Sequence, residues 1–121
     1  MPDAVRAYRT LDHIEANTDS WDQAAWYRQT MCGTAACHAG WTVLLAGGRI
    51  HLPGDGRTVV REIPGMEGLS VPDAAAQLLG IENAGLPDGE PASDALFYPD
   101  NTLDDLRELT REIFGPRPQA D

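Results

Sequence analysis

Cys32-Gly33-Thr34-Ala35-Ala36-Cys37-His38-Ala39-Gly40-Trp41-Thr42-Val43-Leu44-Leu45-Ala46-Gly47-Gly48 is the stretch on which the fold turns. No charged side chain occurs between Arg28 and Arg49, in a chain of which 23% is charged. A helix apolar on every side belongs in a protein interior, because an exposed face would leave hydrophobic surface in water. The stretch therefore predicts a central helix over 34–46. Thr34 is the expected N-cap, Gly33 gives the chain freedom to turn into it, and Gly47 with Gly48 is the stop signal. Cys37, Trp41, Leu44 and Leu45 are expected on one face. Ala36, Gly40, Val43 and Gly47 form a second stripe of mostly small residues that allows close packing. The run is well short of the about 20 residues needed to cross a bilayer, so it reads as a core helix.

Upstream, Val5, Tyr8, Leu11 and Ile14 recur every three residues and predict a helix ending near Asn17. After a break at 17–20, Ser20 with Gln23 is a capping-box pattern that predicts a short helix to about Arg28. Trp21 and Trp26, five apart, cannot share a helical face; one is expected to pack on Trp41 and the other to cover a loop. Downstream, two β-rich runs flank Pro53-Gly54-Asp55-Gly56 and predict a hairpin over 50–63. Ser70 with Asp73 starts a further helix that Gly80 stops. The segment 85–93 reads as a surface loop. Thr102 with Asp105 caps a last helix, whose Leu103, Leu106, Leu109 and Ile113 fall at steps of three and four, and Gly115-Pro116 ends it. Residues 115–121 are expected to form a frayed tail. The fold class that follows is mainly α (α+β): one domain over 1–121, four or five helices compactly arranged around the buried central one, with one small β-hairpin.

The chain has a net charge of −10, its nine basic residues are all arginine, and lysine is absent. The absence of lysine, with abundant alanine, glycine and proline, suggests a GC-rich genome. Charge is unevenly spread. The segment 62–106 holds ten acids, namely Glu62, Glu67, Asp73, Glu82, Asp88, Glu90, Asp94, Asp100, Asp104 and Asp105, and no base. The rest of the chain is neutral in sum. Such a surface repels nucleic acid and acidic membranes and attracts basic partners or cations. The N-terminus carries Asp3 and Arg6 with no apolar run behind them, so no signal peptide is read. Two cysteines without a secretory signal point to a reducing cytoplasm.

The chain resembles a group of small uncharacterised proteins of actinobacteria and their phages. The likeness is carried by Trp21-Asp22-Gln23, Trp26, Cys32-Gly33-Thr34, Cys37 and Ala39-Gly40-Trp41. It continues in Ala76, Leu78-Leu79-Gly80, Leu96-Phe97 and Asn101-Thr102. The resemblance implies little about activity; a phage-encoded accessory protein acting on a host protein, in the host cytoplasm, is the function it suggests.

Cys32, Cys37 and His38 are candidate zinc ligands, with His13 or His51 as a fourth. Against this, neighbouring residues on a helix point about 100° apart, and a second ligand pair is missing. Cys32, just before the expected helix N-terminus, is also a candidate nucleophile, with His13, His38 or His51 as its base. A reversible Cys32–Cys37 disulfide is a third reading, and buried cysteines acting as small hydrophobes a fourth. The alanine-rich 74–81 looks like the start of a helix-turn-helix, but the 25 residues after it contain no arginine or lysine to reach phosphate, which excludes direct DNA binding. No phosphate loop, paired catalytic carboxylates or cofactor fingerprint occurs, so no cofactor is expected. The expected function is a non-enzymatic cytoplasmic interaction protein. Its protein partner, basic in charge, would meet Glu82, Asp88, Glu90, Asp94, Asp100, Asp104 and Asp105. Trp21, Trp26, Cys32, Gly33, Thr34, Cys37, Gly40 and Trp41 are assigned to structure. The alternative is a small metal-binding or cysteine-dependent enzyme centred on Cys32, Cys37 and His38.

Overall fold

The computed structural model describes residues 3–18, 21, 23, 28–30, 33–51 and 59–118, with only the backbone of 28–30 and 33–35. The first helix, α1 (Ala4–Ala16), starts on Asp3, whose carboxylate accepts the Arg6 N–H at 3.0 Å. Its core face is Ala7, Tyr8, Thr10, Leu11 and Ile14, while Val5 is 56% exposed. The expected stripe cannot hold together for a geometric reason. Steps of three fall 60° short of a full turn, so Val5 and Ile14 end up on opposite sides.

Two short strands follow, β1 (Arg28–Thr30) and β2 (Gly33–Ala35), paired antiparallel with Arg28 opposite Ala35, Gln29 opposite Thr34 and Thr30 opposite Gly33. This second ladder was not expected, and it corrects the start of the central helix. Gly33 and Thr34 belong to a strand; α2 (His38–Leu45) begins four residues after the predicted Thr34 cap, and Cys37 is its N-cap. The predicted helix over 20–28 lies mostly outside the described residues, as do Trp26 and Cys32, and Arg28 is in β1.

Helix α2 stands at the centre, packed most extensively on α3 (Val71–Leu79), then on α1, and also on β3 (Arg49–His51). His38, Ala39, Gly40, Thr42 and Val43 are its buried residues. The larger apolar residues face the other way, with Trp41 and Leu44 half-buried and Leu45 exposed. Small residues win the interior because α3 presents Ala74, Ala75 and Ala76, all buried, and only small opposing side chains let two backbones approach closely.

Gly47 and Gly48 end α2 by different means. Gly47 takes φ +93°, a left-handed conformation with open space around it. A Cβ at Gly48 would lie 2.6 Å from Ile63 Cδ1 and 3.0 Å from Val43 Cγ1. Gly48→Ala is therefore expected to overpack this contact and lower stability by about 1–3 kcal/mol in a urea melt. An unchanged midpoint would show that Ile63 swings aside freely.

The predicted hairpin is present as β3 and β4 (Val59–Arg61), with Ile50 opposite Val60 and both facing the core. Its turn lies outside the described residues. Helix α3 opens on Ser70, whose hydroxyl accepts the Asp73 N–H at 3.4 Å, and closes on Gly80 at φ 72°. The loop after it is pinched by the Leu86 N–H donating to Glu90 O at 2.8 Å, and leads into the short α4 (Ala92–Leu96), which was not expected. Helix α5 (Leu103–Phe114) carries the predicted capping box, Asp105 N–H to Thr102 Oγ1 at 3.2 Å and Thr102 N–H to Asp105 Oδ2 at 2.9 Å. Of its predicted stripe Leu106 is fully buried, joined by Thr110, while Leu103, Leu109 and Ile113 are half-buried.

The start of the expected tail is tied to α1. Tyr8 Oη donates to Gly115 O at 2.6 Å, and Arg117 pairs with Asp12 at 2.8 Å while its guanidinium lies 4.8 Å over the Tyr8 ring. One hydrophobic cluster joins α1, α2, β3, β4, α3, α4 and α5. The described residues thus form a mainly α, α+β fold of five helices with β-hairpin structure at its margin. None of these helices is long and apolar enough to cross a membrane.

Candidate functional site

The cysteine–histidine motif is spent on structure where it is described. Cys37 is fully buried, and its Sγ accepts the Gly40 N–H at 3.5 Å, satisfying one of the orphan donors of the α2 N-terminus. His38 is fully buried too, stacked on Phe97 with ring centroids 6.4 Å apart, and its Nδ1 lies 3.5 Å from Thr42 Oγ1. Burial pushes the His38 pKa down to about 4, against a smaller upward pull from the Ala7 backbone, so the ring is neutral at pH 7. Among the described residues no group of three or more His, Cys, Asp or Glu is placed to hold a metal ion. Cys32 lies outside them. His13 instead packs on Trp41, with centroids 4.4 Å apart.

Gln23 is what binds this motif to the rest of the fold. Its Oε1 accepts from Trp21 Nε1 at 3.0 Å and from the His38 N–H at 3.3 Å. Its Nε2 donates to Leu96 O and Tyr98 O, each at 3.1 Å. One buried amide thereby ties the start of α2 to the end of α4, where Asn101 Nδ2 also donates to Ala95 O and Leu96 O. Trp21 is thus engaged with Gln23.

The acidic segment gives a different kind of feature. All ten of its acids are exposed. Among the described residues, Glu62 pairs with Arg49 at 2.9 Å and Asp104 with Arg107 at 2.6 Å; Arg107 is shared with Glu15 at 3.0 Å. Asp105 is used in the α5 capping box, and Asp88 accepts the Glu90 N–H at 3.0 Å. The seven expected contact acids are therefore not equivalent. Glu82, Glu90, Asp94 and Asp100 keep their carboxylates toward solvent, whereas Asp104, Asp105 and Asp88 also hold local structure.

Glu82 and Asp94 converge with Asp73 on a groove of about 530 Å³ between α3 and the α4 end. Its apolar lining includes Leu69, Pro72, Phe97 and Tyr98, and among the described residues no basic side chain lines it. Tyr98 is 52% exposed. Sequence reasoning placed Asp73 only among the acids at large and passed over Tyr98. No local period marks the Asp94–Tyr98 pair, because Asp94 lies in α4 and Tyr98 beyond its C-cap Phe97. The groove can accept a positively charged, partly apolar group. No protein-family model, curated protein or solved structure matches the chain.

Proposed function

We propose that this is a non-enzymatic interaction protein that binds a basic protein partner through the acidic surface of residues 62–106. The observation that carries the reading is the exposure of all ten acids in a segment without one base, three of them gathered around a groove. Opposed charge of this kind steers a basic partner and raises its association rate. The likeness to actinophage proteins makes a host protein in the cytoplasm the natural partner.

The test uses a short extended peptide of alternating lysine and serine as the probe. Its affinity is expected to fall at least about tenfold between about 0.05 M and about 0.3 M salt, as screening shortens the reach of the charges. Glu82→Arg with Asp94→Arg is expected to abolish binding. Glu108→Arg with Glu112→Arg, on exposed positions of α5 outside the acidic segment, changes net charge equally and is expected to cost far less. Asp3 and Asp12 are unsuitable as controls, since Asp3 caps α1 and Asp12 holds Arg117. Equal losses in the two double variants would reduce the segment to a solubilising surface.

A further inference from the structure

Resting on that reading, we infer that the groove takes an arginine side chain from an extended segment of the partner, its guanidinium seated on the Tyr98 ring beside Asp94. The Tyr98 ring is exposed, yet its backbone is held from three sides. Its carbonyl accepts from Gln23 Nε2 at 3.1 Å and from the Asn101 N–H at 3.2 Å, and its own N–H donates to Ala95 O at 3.4 Å. An aromatic ring on an immobile backbone offers contact area at little further ordering cost. Tyr98 also lines a second hollow, of about 340 Å³, together with Leu86, Glu90 and Leu109. Tyr98 thus borders two hollows, one lined by Asp73, Glu82 and Asp94 and the other by Glu90. Among the described residues, neither hollow is lined by a cationic side chain.

Charge complementarity selects a cation, and the ring selects which one. A guanidinium is planar, so it stacks on a ring face while its N–H groups pair with a carboxylate in the same plane; an ammonium cannot do both as well. The molecule uses this pairing within itself. The Arg117 guanidinium lies 4.8 Å over the Tyr8 ring while bonding Asp12 at 2.8 Å. Tyr98 and Asp94 supply the same two partners, with no arginine of the described chain upon them.

Calorimetric titration of the full chain with two peptides of equal length and charge tests the inference, one alternating arginine with serine and the other lysine with serine. The arginine peptide is expected to bind about three- to tenfold more tightly. Tyr98→Ala is expected to bring it down to the lysine value, Tyr98→Phe to keep the difference, and neither to change the thermal melt. Equal affinities, or a difference that survives Tyr98→Ala, would overturn the inference. Salt-sensitive binding of both peptides without an arginine preference would leave the acidic-face reading standing and remove this one, whereas absence of binding to either would remove both. Self-association abolished by Tyr98→Ala would assign the ring to a second copy of the chain, and would likewise overturn it.

Discussion

Gln23→Leu is expected to lower the stability of the fold by about 2–3 kcal/mol, a large effect for a polar side chain. Leucine is similar in volume, so the loss is one of hydrogen bonding rather than of space. It leaves the His38 N–H buried without a partner and takes the acceptor from the half-buried Trp21 indole N–H, while the Leu96 and Tyr98 carbonyls each lose one donor and keep Asn101 as the other. Each stranded buried group costs about 1–3 kcal/mol. Against a total stability of about 5–15 kcal/mol for a domain of ordinary size, such a loss is a large fraction. Gln23→Glu does not rescue, because a carboxylate cannot donate to the two carbonyls that Nε2 serves. Gln77→Leu, at an exposed position of α3, is the comparison and is expected to stay within about 0.5 kcal/mol of the parent. Urea melts of the three variants check this. A Gln23→Leu midpoint close to that of Gln77→Leu would mean that water replaces the amide, and that α2 and α4 are not joined through it.

The second large effect is a dependence of stability on pH carried by His38. The ring is neutral in the folded protein with a pKa of about 4, and titrates at 6.5 when unfolded. Below pH 6.5 the unfolded chain takes up a proton that the folded one refuses, so acidification favours unfolding. The stabilisation held above pH 6.5 is lost progressively as pH falls, and the loss is complete below about pH 4, where the folded form is protonated too. Its full size is about 3 kcal/mol, of which about 2 kcal/mol falls between pH 6.5 and 5, above the range where most carboxylates titrate. His38→Leu removes the group while keeping an apolar side chain against Phe97. The difference between parent and variant stabilities is therefore expected to shift by about 2 kcal/mol across that window, in favour of the variant at the acid end. A difference that stays flat would place the folded-state pKa near its ordinary value and the ring in contact with water.

Much of the helix punctuation was legible in the sequence, because its causes lie within one turn of the chain. Ser70 before Asp73, Gly80 after Leu79, and Thr102 before Asp105 act where local rules put them. The hairpin over 50–63 was legible for the same reason, as two β-rich runs around a cluster of turn residues. The segregation of charge needs no structure at all, and exposed acids are what water demands of a segment with no base to bury them against.

What only the tertiary structure decided has its cause far away along the chain. An apolar run carries no mark of where its helix starts, since every position looks equally suited to the interior. The start of α2 is set at Cys37 and His38 with help from Gln23, fifteen residues upstream. The inward face of α2 is set by the alanines of α3, and the rotation of α1 by what it packs on, so Val5 and Leu45 point outward despite their hydropathy. At the site, ten acids were visible as a charge, but the meeting of Asp73, Glu82 and Asp94 beside an exposed Tyr98 was not. Those residues span two helices and the loop between, and a charge count cannot say which of its members share a groove. Sequence patterning determines where charge is exposed and where many of the elements stop. Which elements face each other is decided by shape and by long-range hydrogen bonds, such as those from Gln23 to Leu96 and Tyr98, that no local period encodes.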